Sequence, residues 1–231
     1  SQRLEVSSAL FGSSIVTKNG LGTLRLSGGN LSSGVVNLNS GTLQLSGGYA
    51  IGDGASVVLS ANNSTVLELL SNETIGSLST GGQSQSSLSS EIRLGANTLT
   101  IAAQSANATY SGLMTGSGTL AKAGGNNLLF NAALTTAFTG SIVVNGGLFY
   151  LESSGTLGNV SAITVNKGAS FLISNNSTTN TTTRIPDTTP ITLNSADGNW
   201  NGSTIIGGLA TRTDQGSSKT EQVGVLTLNS G

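Results

Sequence analysis

The stretch GVVNLNSGTLQLSGGYAIGDGASVVLSANNSTVL, residues 34–67, decides the fold because a second stretch repeats it. Residues 140–173 read GSIVVNGGLFYLESSGTLGNVSAITVNKGASFLI, and the two stretches align without a gap. Apolar residues hold the same alternating positions, so Leu43 and Leu45 correspond to Phe149 and Leu151. Like segments at a fixed offset indicate stacked structural units, and the alternation indicates short strands.

The similarity extends beyond these stretches and predicts two modules in one continuous solenoid. Residues 18–26 match 122–130, and residues 73–78 match 221–226. We therefore expect a first solenoid module at 1–96 and a second at 97–231. The second is longer because residues 175–219 form an insertion without a counterpart, and its Thr/Asn-rich start, 174–183, is expected to protrude as a loop.

The pattern along the whole chain predicts an all-β fold, since no apolar spacing of three and four persists and the chain has 33 glycines. In a β-solenoid, a structure of stacked irregular coils, alternate residues fill a dry interior. The predicted coil core comprises Leu24, Leu26, Val36, Leu38, Leu43, Leu45, Phe149 and Leu151. Gly and Asn supply the corners, where stacked Asn or Ser side chains could satisfy turn carbonyls.

Composition narrows the function. Only 8% of the residues are charged and the formal net charge is -1, so we expect no binding to nucleic acid. The chain has no Cys and no His. It also has no apolar run of the roughly 20 residues that a transmembrane helix needs, so no transmembrane segment is expected in it.

The segment LGTLRLSGGNLSSGVVNLNSGTLQL, residues 21–45, resembles the autotransporter-associated β-strand repeat, also called the passenger-associated transport repeat. Residues 184–193 and 221–228 are similar to segments that accompany this repeat in very large bacterial surface proteins. The second copy departs from the pattern, because NNLLFNAALTTAFTGS replaces the usual residues at 126–141. The resemblance implies a right-handed parallel β-helix displayed outside a bacterial, Gram-negative cell.

Catalysis is not expected. Glycoside cleavage needs a close pair of carboxylates, whereas Asp53, Asp187, Asp197 and Asp214 are scattered along the chain. The segment IGDG at 51–54 resembles a calcium-binding turn only superficially, because repeated Asp-bearing turns would be needed for enough oxygen ligands. We expect no metal and no cofactor.

Two regions are candidates for interaction. Trp200 lies in the insertion between Asn199 and Asn201, and these three are candidate surface-binding residues for surface glycans. At the ends, residues 226–231 followed by 1–6 would imitate the internal junction at 92–101. Further copies of the chain, or adjacent solenoid repeats, are therefore expected end to end, with strand contacts at Leu4, Val6, Leu226 and Leu228.

The leading hypothesis is a structural segment of an extracellular bacterial fibre or adhesin, located outside the cell or on its surface. In it, a stiff rod has open ends that continue into further coils or neighbouring subunits. The alternative is a carbohydrate-binding or carbohydrate-degrading parallel β-helix, which an acidic, aromatic-lined groove would favour. A third hypothesis is the passenger of a virulence-type autotransporter.

Overall fold

The computed structural model describes residues 2–13, 15–29, 34–81, 90–102, 107–131, 137–152, 155–174, 184–194, 208–212 and 224–229. Across these residues the chain forms strands and turns without a helix. The strands stack in parallel as a β-solenoid of about 7 turns, which confirms the predicted all-β solenoid.

The strands line three faces of the solenoid. Face 1 carries β1 (Arg3–Val6), β3 (Thr23–Leu26), β5 (Gly41–Leu45), β7 (Thr65–Leu69), β10 (Ser90–Arg93) and β13 (Leu113–Thr115). Face 2 carries β8 (Glu73–Ile75), β11 (Thr98–Ile101), β14 (Thr119–Lys122), β16 (Ser141–Val144), β18 (Ala162–Asn166), β20 (Ile191–Asn194) and β22 (Leu226–Leu228).

Face 3 is built from two sheets whose edge strands lie side by side. The first contains β2 (Val16–Lys18), β4 (Val35–Leu38), β6 (Ser56–Ser60) and β9 (Ser77–Gly81). The second contains β12 (Ala108–Tyr110), β15 (Asn127–Phe130), β17 (Gly147–Leu151), β19 (Ala169–Ser174) and β21 (Gly208–Arg212). β9 lies beside β12, where the Ser111 N–H donates to Thr80 Oγ1 at 3.1 Å.

The N-terminal turns and the C-terminal turns each have strands on two faces and a linker without strands on the third. The face that carries the linker differs between the two ends. In the N-terminal turns the linker lies on face 2. There residues 46–55 run beneath β8, and the Gly76 N–H donates to Ala55 O at 2.8 Å. The middle turns have a strand on every face. In the C-terminal turns the linker lies on face 1, beginning beside β13 where the Gly116 N–H donates to Ala137 O.

This change displaces the internal repeat by one face. In the first copy, β4 on face 3 leads through the corner at Asn39 to β5 on face 1. In the second copy, β16 on face 2 leads through the corner at Asn145 to β17 on face 3. Equivalent sequence therefore forms the same local structure at different corners of the solenoid.

Alternate strand residues point inward and build one continuous core. Of the predicted core residues, Leu26, Val36, Leu38, Leu43, Leu45, Phe149 and Leu151 are buried. Leu24 is partly buried because it lies on β3, close to the N-terminal end. Burial of one such side chain contributes roughly 1.5–3 kcal/mol, so the core dominates the stability of the solenoid.

Four aromatic rings form a stack along the inside of face 3. They belong to Tyr110, Phe130, Phe149 and Phe171, and successive ring centroids are 5.7, 5.5 and 5.3 Å apart. This spacing follows the separation of neighbouring strands in a sheet, about 4.8 Å. Since Leu43 holds the place of Phe149 in the first copy, the stack belongs to the second module.

Candidate functional site

Most of the exposed large apolar side chains among the described residues lie at the two ends of the solenoid. At the N-terminal end Leu4, on β1, is 64% exposed, and at the C-terminal end Leu228, on β22, is 69% exposed. Among the described residues, the exposed large apolar side chains are Leu4, Phe11, Ile15, Leu21, Tyr49, Leu70, Val225, Leu226 and Leu228. All but Tyr49 and Leu70 belong to the first or last turn. β1, β2, β21 and β22 are also edge strands, whose outer backbone groups pair with no described strand.

Val6 also lies on β1 and is partly buried against the core. Val6 and the exposed Leu4, Leu226 and Leu228 are the four residues expected to make end-to-end strand contacts. They lie at opposite ends of one solenoid and do not meet within a chain. They can come together only between two units.

Asparagine side chains form hydrogen-bonded ladders at the corners. In the longer ladder each Nδ2 donates to the Oδ1 of the previous turn, from Asn166 to Asn145 at 2.6 Å, from Asn194 to Asn166 at 2.7 Å and from Asn229 to Asn194 at 2.7 Å. In the N-terminal turns Asn39 donates to Asn19 in the same way. These bonds join amide to amide, and all but the partly buried one between Asn194 and Asn166 are exposed. The expected satisfaction of turn carbonyls occurs at other positions, where Asn97 Nδ2 donates to Leu69 O at 3.0 Å and Leu94 O at 3.1 Å, and Ser161 Oγ donates to Gly140 O at 2.9 Å.

Two buried lysines also satisfy turn carbonyls. Lys18 Nζ donates to Asn19 O at 3.1 Å, Gly20 O at 2.7 Å and Ser40 O at 3.0 Å. Each lysine side chain points inward at the end of its strand, so its ammonium lies against the turn of its own coil and of the next. Burial lowers the pKa of Lys18.

Lys122 repeats this arrangement on face 2. Its Nζ donates to Ala123 O at 2.7 Å, Gly124 O at 2.9 Å and Gly146 O at 3.1 Å. Lys122 is fully buried, and burial lowers its pKa to about 8. The match between residues 18–26 and 122–130 already paired these two lysines, but in the sequence it indicated only repetition.

The Glu73 side chain hydrogen-bonds the linker at the position where β8 on face 2 lies over residues 46–55. Its Oε1 accepts a hydrogen bond from the Ile51 N–H at 3.0 Å. Because Ile51 lies in a linker and not in a strand, this N–H has no partner in a β-ladder. Burial raises the pKa of this carboxyl, the N–H groups of Ile51 and Ala50 lower it, and the charge of Asp53 raises it. The match between residues 73–78 and 221–226 pairs Glu73 with Glu221, but in the sequence it indicated only repetition and no role for the carboxyl.

A cleft on the flank opens beside Glu73. It has a volume of about 480 Å³ and is lined by Tyr49, Asp53, Glu73, three threonines (Thr74, Thr98, Thr100), Gly48 and Asn72. Tyr49 is exposed, and Asp53 lies in a turn that the Ala55 N–H closes onto Gly52 O at 2.8 Å. An open aromatic ring beside hydroxyl and carboxylate groups can stack on and hydrogen-bond a sugar.

The other candidate residues are not brought together. Trp200, Asn199 and Asn201 lie outside the described residues, as do Asp197, Asp214 and most of the predicted loop at 174–183. Asp187 is exposed on the face-1 linker. Within the insertion, β20 and β21 pair in parallel with β18 and β19, so part of it extends the solenoid.

Comparison with family models, with curated proteins and with solved structures gives no significant match. In the part of the chain that the structure describes, no helix is long and apolar enough to cross a membrane. No cluster of three or more acidic, His or Cys side chains that could hold a metal ion occurs among those residues. The fold itself defines the class, a parallel β-solenoid.

Proposed function

We propose that this chain is a structural segment of an extracellular bacterial fibre or adhesin. It is a stiff solenoid rod whose ends continue into further coils or neighbouring subunits. The observation that carries the proposal is the concentration of exposed apolar side chains at the two ends, beside unpaired edge strands. Exposed edges of this kind favour pairing with another strand.

The location outside the cell is part of the same proposal and rests on the resemblance to the autotransporter-associated repeat. A chain with only 8% charged residues and a repeated Gly, Asn, Ser and Thr pattern is compatible with that resemblance. Surface digestion of intact producing cells with a protease tests the location. Loss of the chain without loss of a cytoplasmic marker supports it, and full protection contradicts it.

Electron microscopy of the purified chain tests the rod. We expect unbranched filaments whose formation depends on concentration. Leu4→Lys and Leu228→Lys place a charge at the two ends and should shorten or abolish them. Leu70→Lys, which changes an exposed leucine away from the ends, is the matched control and should leave the filaments unchanged. Filaments that survive both end variants would contradict contact through these ends.

The cleft at Tyr49 supports a second candidate function, the binding of surface glycans along the flank. Its carboxylate Glu73 is tied to a backbone N–H, which suits a structural role and favours binding over glycan cleavage. Titration with neutral oligosaccharides, followed by NMR, should shift resonances of Thr74 and Thr100. Tyr49→Ala should remove the shifts, and unchanged spectra of the unmodified chain would exclude a glycan site here.

A further inference from the structure

The two ends of the solenoid match each other only when one is turned. At the C-terminal end the outermost strands are β22 on face 2 and β21 on face 3, and the outermost described residues on face 1, 184–190 and Gly224, form a linker without a strand. At the N-terminal end the outermost strands are β1 on face 1 and β2 on face 3, and the linker covers face 2. Direct stacking without rotation would therefore place a strand on a linker at two of the three faces.

We propose that a second copy of this chain docks on the C-terminal end after a turn of one face, so that its β2 pairs with β22 and its β1 with β21. This docking rests on the end-to-end contact proposed above and adds the partner, rotation and register. Strand then meets strand on two faces, and linker meets linker on the third. Ladder N–H and C=O groups of the edge strands at the junction gain partners in this way.

The hydrogen-bond polarity of the asparagine ladders fits this arrangement. Asn229 uses Nδ2 to reach the previous turn, which leaves its Oδ1 directed toward the next unit as an acceptor. Asn19 uses Oδ1 as an acceptor for Asn39, which leaves its Nδ2 as a donor. Alignment of β2 on β22 places Asn19 of one copy directly above Asn229 of the other, with donor facing acceptor.

The register also reproduces contacts that already exist inside the chain. With Asn19 above Asn229, Lys18 lies above Leu228 and Val16 above Leu226. Within the chain, Lys122 pairs in the same way with Ile101 of the previous turn, and Leu120 pairs with Leu99. A lysine that is bonded to three turn carbonyls and stacked on an aliphatic residue of the previous turn therefore already occurs once within the solenoid.

The alternative without rotation lacks a device that the chain uses elsewhere. Where β8 lies over a linker, the Glu73 carboxylate accepts the N–H of Ile51. The inward residues of β1 and β22 are Leu4, Val6, Leu226 and Leu228, which offer no such acceptor. A strand over a linker at the junction would leave buried polar groups unpaired, at roughly 1–3 kcal/mol each.

Disulfide cross-linking between copies of the full chain tests the rotation, because the chain has no native Cys. Thr17 and Thr227 are the middle residues of β2 and β22 and face outward. In the rotated junction they are neighbours across a parallel pair, within the Cα separation of roughly 4.4–6.8 Å that a disulfide requires. Thr17→Cys mixed with Thr227→Cys should give an oxidised dimer.

The matched control mixes Thr17→Cys with Ala210→Cys, because β2 would pair with β21 if no rotation occurred. A Thr17–Ala210 cross-link without the Thr17–Thr227 one overturns the rotated junction but leaves end-to-end stacking intact. A chain that stays monomeric by sedimentation at millimolar concentration overturns docking of a second copy.

Asn19→Asp gives an independent measurement, since it keeps an acceptor for Asn39 and replaces the outward donor by a charged carboxylate oxygen, which cannot donate to Asn229 Oδ1. We expect self-association to weaken at least about tenfold, the effect of losing one hydrogen bond of about 1.4 kcal/mol. An unchanged association constant would count against the Asn19–Asn229 contact.

Discussion

Lys18 and Lys122 make the same three hydrogen bonds at corners that lie one face apart. Each ammonium binds the carbonyls of the two residues that follow it and one carbonyl of the next turn. The glycines that turn the chain after them, Gly20 and Gly124, both have a φ of 76°. A local device is thus repeated within the chain although its position around the axis is not.

Replacement of Lys122 by Met should destabilise the fold. The methionine fits the interior but leaves the carbonyls of Ala123, Gly124 and Gly146 without their donor. We expect the free energy of unfolding to fall by about 2 kcal/mol, as measured by denaturant titration. Lys167→Met changes an exposed lysine and is the control. Equal losses in both variants would show that the carbonyl cage contributes nothing.

The same lysine predicts a pH dependence. Burial lowers the pKa of Lys122 to about 8, against 10.5 for an ordinary lysine. Between these values the unfolded chain binds more protons than the folded one, so the free energy of unfolding should rise as pH increases. The rise should be smaller in Lys122→Met, where Lys18, whose pKa burial also lowers, still contributes to it. If stability falls over this range in the native chain relative to the variant, the three carbonyls outweigh desolvation.

Glu73 predicts the opposite slope at lower pH. Its carboxyl is buried, and its pKa lies above the ordinary 4.5, so the folded chain holds the proton longer than the unfolded one. The free energy of unfolding should therefore fall as pH rises above 4.5. Glu73→Gln keeps an acceptor for the Ile51 N–H and should remove this slope, whereas Glu73→Leu should destabilise at every pH. Parallel slopes for the Glu73→Gln variant and the native chain would refute the assignment.

Gly140 should tolerate no side chain. A Cβ atom there would overlap Gly118 O of the previous turn and approach Phe138 at 2.8 Å. We expect Gly140→Ala to cost several kcal/mol or to prevent folding, because two turns would have to separate. Gly125→Ala is the control, since nothing lies within 4 Å of the added atom. Thermal unfolding followed by circular dichroism distinguishes the two variants.

The aromatic stack predicts a measurable difference between the modules. Phe149→Leu installs the residue that holds the equivalent place in the first copy, Leu43. We expect a loss of about 1 kcal/mol from the ring contacts with Phe130 and Phe171, in addition to the loss of buried area. Leu43→Val, which also removes buried carbon at the equivalent place but no ring contact, should cost less. Comparable losses would show that the stack adds nothing to burial.

Much of the local structure could be predicted from the sequence, because alternation at Leu43 and Leu45 reports directly on which side of a strand is dry. The displacement of the repeat by one face could not. The displacement begins at β8, the first strand on face 2, where only a linker runs in the preceding turns. That strand, Glu73–Ile75, is only three residues long. The lysine cage was also missed, since a lysine within an apolar repeat is ordinarily an exposed residue.

The displacement also bears on how such a chain can grow. A duplicated segment would fit the solenoid without completing a whole number of turns, since a corner built for one position also works at the next, as Lys18 and Lys122 show. The constraint on a new segment is that it begins and ends at a corner. A gene can then lengthen the solenoid by parts of a turn, and this produces segments of unequal size, like the two modules that the sequence predicts.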